Sequence, residues 1–347
     1  MSQDLGIRPS QQHPYVSEAI SEMVRNFPQN FAWGAATASY QIEGASKVDG
    51  RGTCIWDTFA AIPGNVVNQE DGEVACDHYN RYREDVGLMR DLGLKTYRFS
   101  FAWPRMFPTG DSNREQRGFD FYDRLIDSLL EAGIEPLGTL YHWDLPQSIQ
   151  DRGGWASRDI ITQFTDYTHD VVSAFGDRVK SWVTLNEPWV FTWLGHMNGI
   201  HAPGIKDLSQ AIAISHHTAL AHAEATRVIQ SLFSDARTGL ALNMTNYRVD
   251  DPSNPELVDL KSLMDAHINR WWLDASVKGE YPQNLVESYG EWLSKVILDG
   301  DMERLKVKND FVGVNYYSDS FITTPKPTDK PMYEGGLFPF QIGRAHV

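Results

Sequence analysis

Cysteine is nearly absent: the 347 residues carry only Cys54 and Cys76. Two thiols cannot build a disulfide framework, and no CxxC pair offers a metal or redox centre. No apolar run approaches the roughly 18 residues that span a bilayer. The first 20 residues have neither a basic start nor an apolar stretch, so they do not read as a secretory signal. Basic residues are scarce, 31 Lys and Arg against 46 Asp and Glu, and the net charge is −15. Such a surface repels nucleic acid and anionic membranes. These shortages predict a cytoplasmic chain with neither partner. No phosphate loop, haem or flavin motif and no HExxH occurs, so neither cofactor nor metal is expected.

What is plentiful is apolar and aromatic. Hydrophobic residues make up 41% of the chain, with 11 Trp, 14 Tyr and 16 Phe. That suffices for a large core and excludes a disordered chain. Aromatic faces stack on the C–H faces of sugars, but they also fill cores, so composition alone does not choose.

Residues 1–25 are polar and unpatterned and read as a mobile leader. Beyond them, strand-like runs fall at 31–39, 96–103, 135–143, 181–187, 239–245 and 310–317. Amphipathic stretches lie between. In 77–92, Tyr79, Tyr82, Val86 and Met89 fall on one face; in 119–132, Phe119, Tyr122, Ile126 and Leu129 do the same, with Gly133 as a stop. Further helices are expected at 157–175, 209–233 and 256–278. Strand and helix in steady alternation predict a parallel sheet with helices outside. An open doubly wound sheet would want GxGxxG after its first strand, where Gln41-Ile42-Glu43-Gly44 stands instead. A (β/α)8 barrel places polar residues at the C-terminal ends of several strands. This chain does that with His142 and Trp143, Asn186 and Glu187, and Asn315 and Tyr317. The expected fold is an α/β (β/α)8 barrel, incomplete, with about six of eight units in 26–340.

Two segments carry chemistry. In Thr184-Leu185-Asn186-Glu187-Pro188-Trp189 a carboxyl group beside an amide ends a strand, an arrangement suited to proton transfer. A surface Glu after a strand is the plain alternative. In Tyr97-Arg98-Phe99-Ser100 an arginine interrupts an apolar strand; it is expected to be buried with an anionic partner. That partner is either a fixed structural ion pair or a catalytic carboxylate held ionised. His216, His217 and His222 share a helix without metal-ligand spacing, and Trp271 and Trp272 read as helix–barrel packing.

Six segments, in order, resemble family 1 glycoside hydrolases, the β-glucosidase family. They are Phe31-Ala32-Trp33-Gly34 through Gln41-Ile42-Glu43-Gly44, the Arg98 strand, and Tyr141-His142-Trp143-Asp144-Leu145-Pro146. After these come Asn186-Glu187-Pro188, His201-Ala202-Pro203-Gly204 and Val314-Asn315-Tyr316-Tyr317. The resemblance implies a retaining mechanism with two carboxylates about 5–5.5 Å apart. It gives Glu187 the acid/base role. It places Gln41, His142, Trp143 and Asn186 at the non-reducing sugar, and Arg98, Asn315 and Tyr317 around the nucleophile. The implied partner is a small β-glycoside or oligosaccharide, with no cofactor.

One departure stands out. The family's nucleophile lies in an Ile-Thr-Glu-Asn-Gly-like segment ending the seventh strand, and no such segment is found; family spacing places it beyond Val347. Glu334, in Met332-Tyr333-Glu334-Gly335-Gly336, sits in turn chemistry and does not replace it. The family's Trp-rich eighth-strand segment is also not found. Ile342-Gly343-Arg344-Ala345-His346-Val347 translates ATC GGA AGA GCA CAC GTC, a common sequencing-adapter read, so 341–347 is expected to be a non-native tail. The expectation is therefore a β-glucosidase without its nucleophile, inactive as written. The alternatives are a catalytically dead carbohydrate- or protein-binding member, or a 6-phospho-β-glycosidase.

Overall fold

The computed structural model describes residues 26–323 and the backbone of 342–344. The expected leader, Glu334 and most of the expected tail lie outside these residues. The strands are β1 (Gly34–Ala36), β2 (Thr96–Ser100), β3 (Glu135–Tyr141), β4 (Ser181–Asn186), β5 (Arg237–Met244), β6 (Tyr247–Val249), β7 (Phe311–Tyr316), β8 (Ser320–Ile322) and β9 (Ile342–Arg344). Six of them form one sheet in the order β1-β2-β3-β4-β5-β7, every neighbouring pair parallel. A parallel sheet whose spatial order follows chain order, with helices in the connections, is an incomplete (β/α)8 barrel. The remaining three form a small side sheet in the order β6-β8-β9.

The sequence explains the layers. β4 reads Ser-Trp-Val-Thr-Leu-Asn and is buried at every position, as a parallel strand covered on both faces should be. The helix Gln116–Glu131 buries Phe119, Tyr122, Ile126 and Leu129. It stops where Gly133 takes a positive φ of 71° and its N–H bonds back to Leu130. Helix Leu208–Leu232 begins at an Asp207 cap that accepts from Gln210 N–H and packs along helix Ile160–Phe175. Trp271 and Trp272 pack on it through indole bonds to the Ser215 carbonyl and the Thr218 hydroxyl. Among the described residues no helix is long and apolar enough to cross a membrane.

Two expectations need correction. The first strand is only three residues, because Ser39–Ile42 turns into a short helix and Phe31 and Trp33 precede the sheet. The single helix expected at 256–278 is divided by a wider π turn, Ala266–Arg270, between Pro255–Asp265 and Trp271–Lys278. The extra residue brings Asn269 to the end of β5, where its side chain bonds both the N–H and the carbonyl of Thr245.

Candidate active site

The C-terminal ends of the barrel strands hold the expected residues. Glu187 follows β4 directly and is 5% exposed. A register shift between Val183 and Asn186 precedes it, a local bulge of the kind that re-aims side chains beside functional sites. The Glu187 N–H bonds to Ala241 on β5 at 2.7 Å. Glu187 and Trp143 both hold positive φ, 48° and 79°. For residues with a Cβ such backbone is strained by about 1–3 kcal/mol, and it persists only where neighbours over-determine it.

Asn186 is the hub. Its Oδ1 accepts from Arg98 Nη2 at 2.9 Å and from Asn315 Nδ2 at 3.2 Å. That fixes the amide so that Nδ2 donates to His142 Nε2 at 3.0 Å, and the imidazole proton therefore sits on Nδ1. His142 is held neutral: burial, helped by nearby Arg98, brings it down to about 3. The Trp143 indole donates to the Asn186 carbonyl at 2.8 Å. Asn315 also donates to Glu187 Oε1, and the Tyr317 hydroxyl bonds Glu187 as well. Burial raises the Glu187 carboxyl; Asn315, the Arg98 charge and Tyr317 restrain the rise.

Among the described residues the side chain that Arg98 bonds is the amide of Asn186. The residue is half-buried, and no carboxylate lies within ion-pair distance of it among the described residues. Asn186 Oδ1 takes one Nη2 bond, while Arg98 Nε stays buried without a partner among the described residues, so the guanidinium is only partly satisfied. Burial lowers its pKa, and the Glu187 charge opposes that.

Trp143 and His201 stand between two cavities. One, of about 380 Å³, holds Glu187 with Trp189, Asn243, Met244, Ile268 and Tyr317. The other, of about 410 Å³, holds Gln41 and His142 with Tyr40, Trp56, Glu70 and Asp71. Asn186 lies behind both and lines neither. Arg98, Asn315, Tyr317, Glu187, Asn186 and His142 are thus joined in one network, and Gln41 faces the neighbouring cavity. In the sequence His201 stands out only as part of a motif, and no sequence signal places it against Trp56 and Trp143, ring centroids 5.5 and 5.8 Å away. His216, His217 and His222 lie elsewhere, bonded to Tyr281 and Asp301, to the Trp155 carbonyl and to Thr184.

The family model for glycosyl hydrolase family 1 matches residues 23–336. The chain belongs to glycosyl hydrolase family 1. It is 45% identical over 298 residues to β-glucosidase A of Thermotoga maritima, covering 85% of this chain and 66% of that relative. It is 44% identical to the aryl-phospho-β-D-glucosidase of Bacillus subtilis, covering 86% of this chain and 63% of the relative. A solved family 1 β-glucosidase from Thermotoga maritima superposes with a TM-score of 0.85 at 41% identity, covering 92% of this chain and 70% of that one. Another from that organism, in complex with glucoimidazole, gives 0.81 at 43% identity, with coverages of 85% and 67%. This family 1 chain spans about two thirds of the length of the curated relatives it matches.

Proposed function

We propose that this chain belongs to an enzyme that hydrolyses terminal non-reducing β-D-glucosyl residues with retention, Glu187 serving as general acid/base. The observation that carries the reading is the state of Glu187. A carboxyl raised by burial and aimed into a cavity from a barrel strand end is biased toward the protonated form that can give a proton to a leaving-group oxygen. Once that proton has gone, the carboxylate can draw one from water in the second step. Neutral His142, with a free Nδ1–H, and the Gln41 amide suit sugar hydroxyls, which both donate and accept.

Retention needs a second carboxylate as nucleophile, about 5–5.5 Å from the first. Among the described residues no other Asp or Glu lines the Glu187 cavity. Arg98, Asn315 and Tyr317, matched by resemblance to the nucleophile's surroundings, face Glu187 instead. With no second carboxylate in that cavity among the described residues, the expected outcome is that this chain binds sugar without turning it over. Titration calorimetry with glucoimidazole tests the first half and release of 4-nitrophenol from its β-glucoside the second. Absent binding, or steady turnover, would refute this reading.

The Bacillus subtilis relative raises a 6-phosphoglucoside as the second reading. Against it, among the described residues the cavity of Gln41 and His142 presents Glu70 and Asp71 and no lysine or arginine, so a phosphate dianion meets repulsion there. Competition of glucose against glucose 6-phosphate for the glucoimidazole site distinguishes the two.

A further inference from the structure

Three successive strand ends meet at one buried hydroxyl. Ser39 opens the short helix after β1 that carries Gln41. Its N–H donates to Ser100 Oγ, the last residue of β2, at 2.7 Å, and Ser100 Oγ donates to Ser39 Oγ at 3.1 Å. Ser39 Oγ in turn donates to Asp144 Oδ2 at 2.6 Å. Asp144 lies two residues past His142, and all three side chains are buried.

Asp144 is a costly residue for a core. It is 1% exposed, its Oδ1 is buried with no hydrogen-bond partner, and no cation forms an ion pair with it among the described residues. Burial raises its carboxyl to about 7; Glu43 adds to the rise, while Ser39 and Arg51 oppose it, and Cys54, Tyr141 and Tyr167 complete the ionisable groups around it. The neighbouring Trp143 is a bulky residue in the left-handed region, at φ 79°. Such a backbone must be pinned on both sides. His142 is pinned by Asn186, and the Trp143 indole by the Asn186 carbonyl. On the C-terminal side, Asp144 is pinned by Ser39.

We propose that Asp144 is a positioning residue for the sugar cavity: through Ser39 it clasps the turn bearing Gln41 to the turn bearing His142 and Trp143. The inference rests on the β-glucoside reading above. Without the clasp, Trp143 relaxes toward negative φ and the cavity wall shared by Gln41 and His142 opens.

Asp144→Asn keeps an acceptor for Ser39, whereas Asp144→Ala removes it. Glucoimidazole titration at pH 7 is expected to show about tenfold or greater weakening in Asp144→Ala and rescue to within about threefold in Asp144→Asn. Amide exchange at Gln41 and Ile42 in the unliganded chain should quicken in Asp144→Ala alone. Should Asp144→Ala not fold, Ser39→Ala breaks the same bond from the other side and should weaken binding alike. Unchanged binding with unchanged exchange, or equal losses in the Ala and Asn variants, overturns the clasp. Faster exchange in Asp144→Ala with no glucoimidazole binding by the parent chain overturns the sugar-site reading, and the clasp's role in it, while leaving the bond itself established.

Discussion

Arg98 donates to Asn186 Oδ1 at 2.9 Å, so a cation inside the barrel is held by an amide. The same oxygen takes Asn315, and the amide nitrogen of Asn186 serves His142. Three strands besides β4 therefore read their registry from one side chain. Asn186→Ala leaves His142 Nε2 buried without a donor and half-buried Arg98 without its amide, whereas Asn315 keeps Glu187; an unsatisfied buried group costs about 1–3 kcal/mol. Urea unfolding should show a loss of at least about 2 kcal/mol. An unchanged midpoint would mean that water replaces the amide without cost.

Stability should fall as pH drops below neutrality. Burial brings His142, His222 and His267 down to about 3, and His196 and His216 down to about 4. Their unfolded pKa is about 6.5, so the unfolded chain binds more protons between these limits. The stability is present above about 6.5 and is lost progressively below it, about 1–2 kcal/mol per histidine by pH 5. Asp144 runs the other way: with its folded pKa at about 7, it favours the folded state as pH falls from 7 toward 4. Five histidines outweigh one aspartate. Urea unfolding at pH 7.5, 6 and 5 checks this; a flat profile would contradict it.

Much of this was legible from residue patterns, though unevenly. The six barrel strands are short apolar runs set between helical periods, and Glu187 declares itself as a carboxyl group at a strand end. Asn186 as hub was not legible, because an amide that bonds a guanidinium looks like any polar residue. Neither was the π turn at Ala266–Arg270, since one extra residue in a helix barely disturbs its apolar period. The short strands β6 and β8 depend on each other across the intervening chain, and three residues carry no periodicity.

In a chain carrying strands seven and eight of the Thermotoga maritima β-glucosidase after β7, Gln41→Ala should lower kcat/KM on a β-glucoside by roughly 10- to 100-fold. Hydrogen bonds to sugar hydroxyls strengthen toward the transition state, and a lost one costs about 1–3 kcal/mol. An unchanged kcat/KM would put Gln41 outside the sugar site.

The most direct measurement is the leaving-group dependence of Glu187→Gln in the grafted chain. If Glu187 is the acid/base, hydrolysis of alkyl glucosides should collapse. The glycosylation step with 2,4-dinitrophenyl β-glucoside should suffer far less, because that leaving group needs little protonation. Added azide should restore turnover and yield β-glucosyl azide. Equal loss on both substrates with no azide product would contradict the assignment of Glu187.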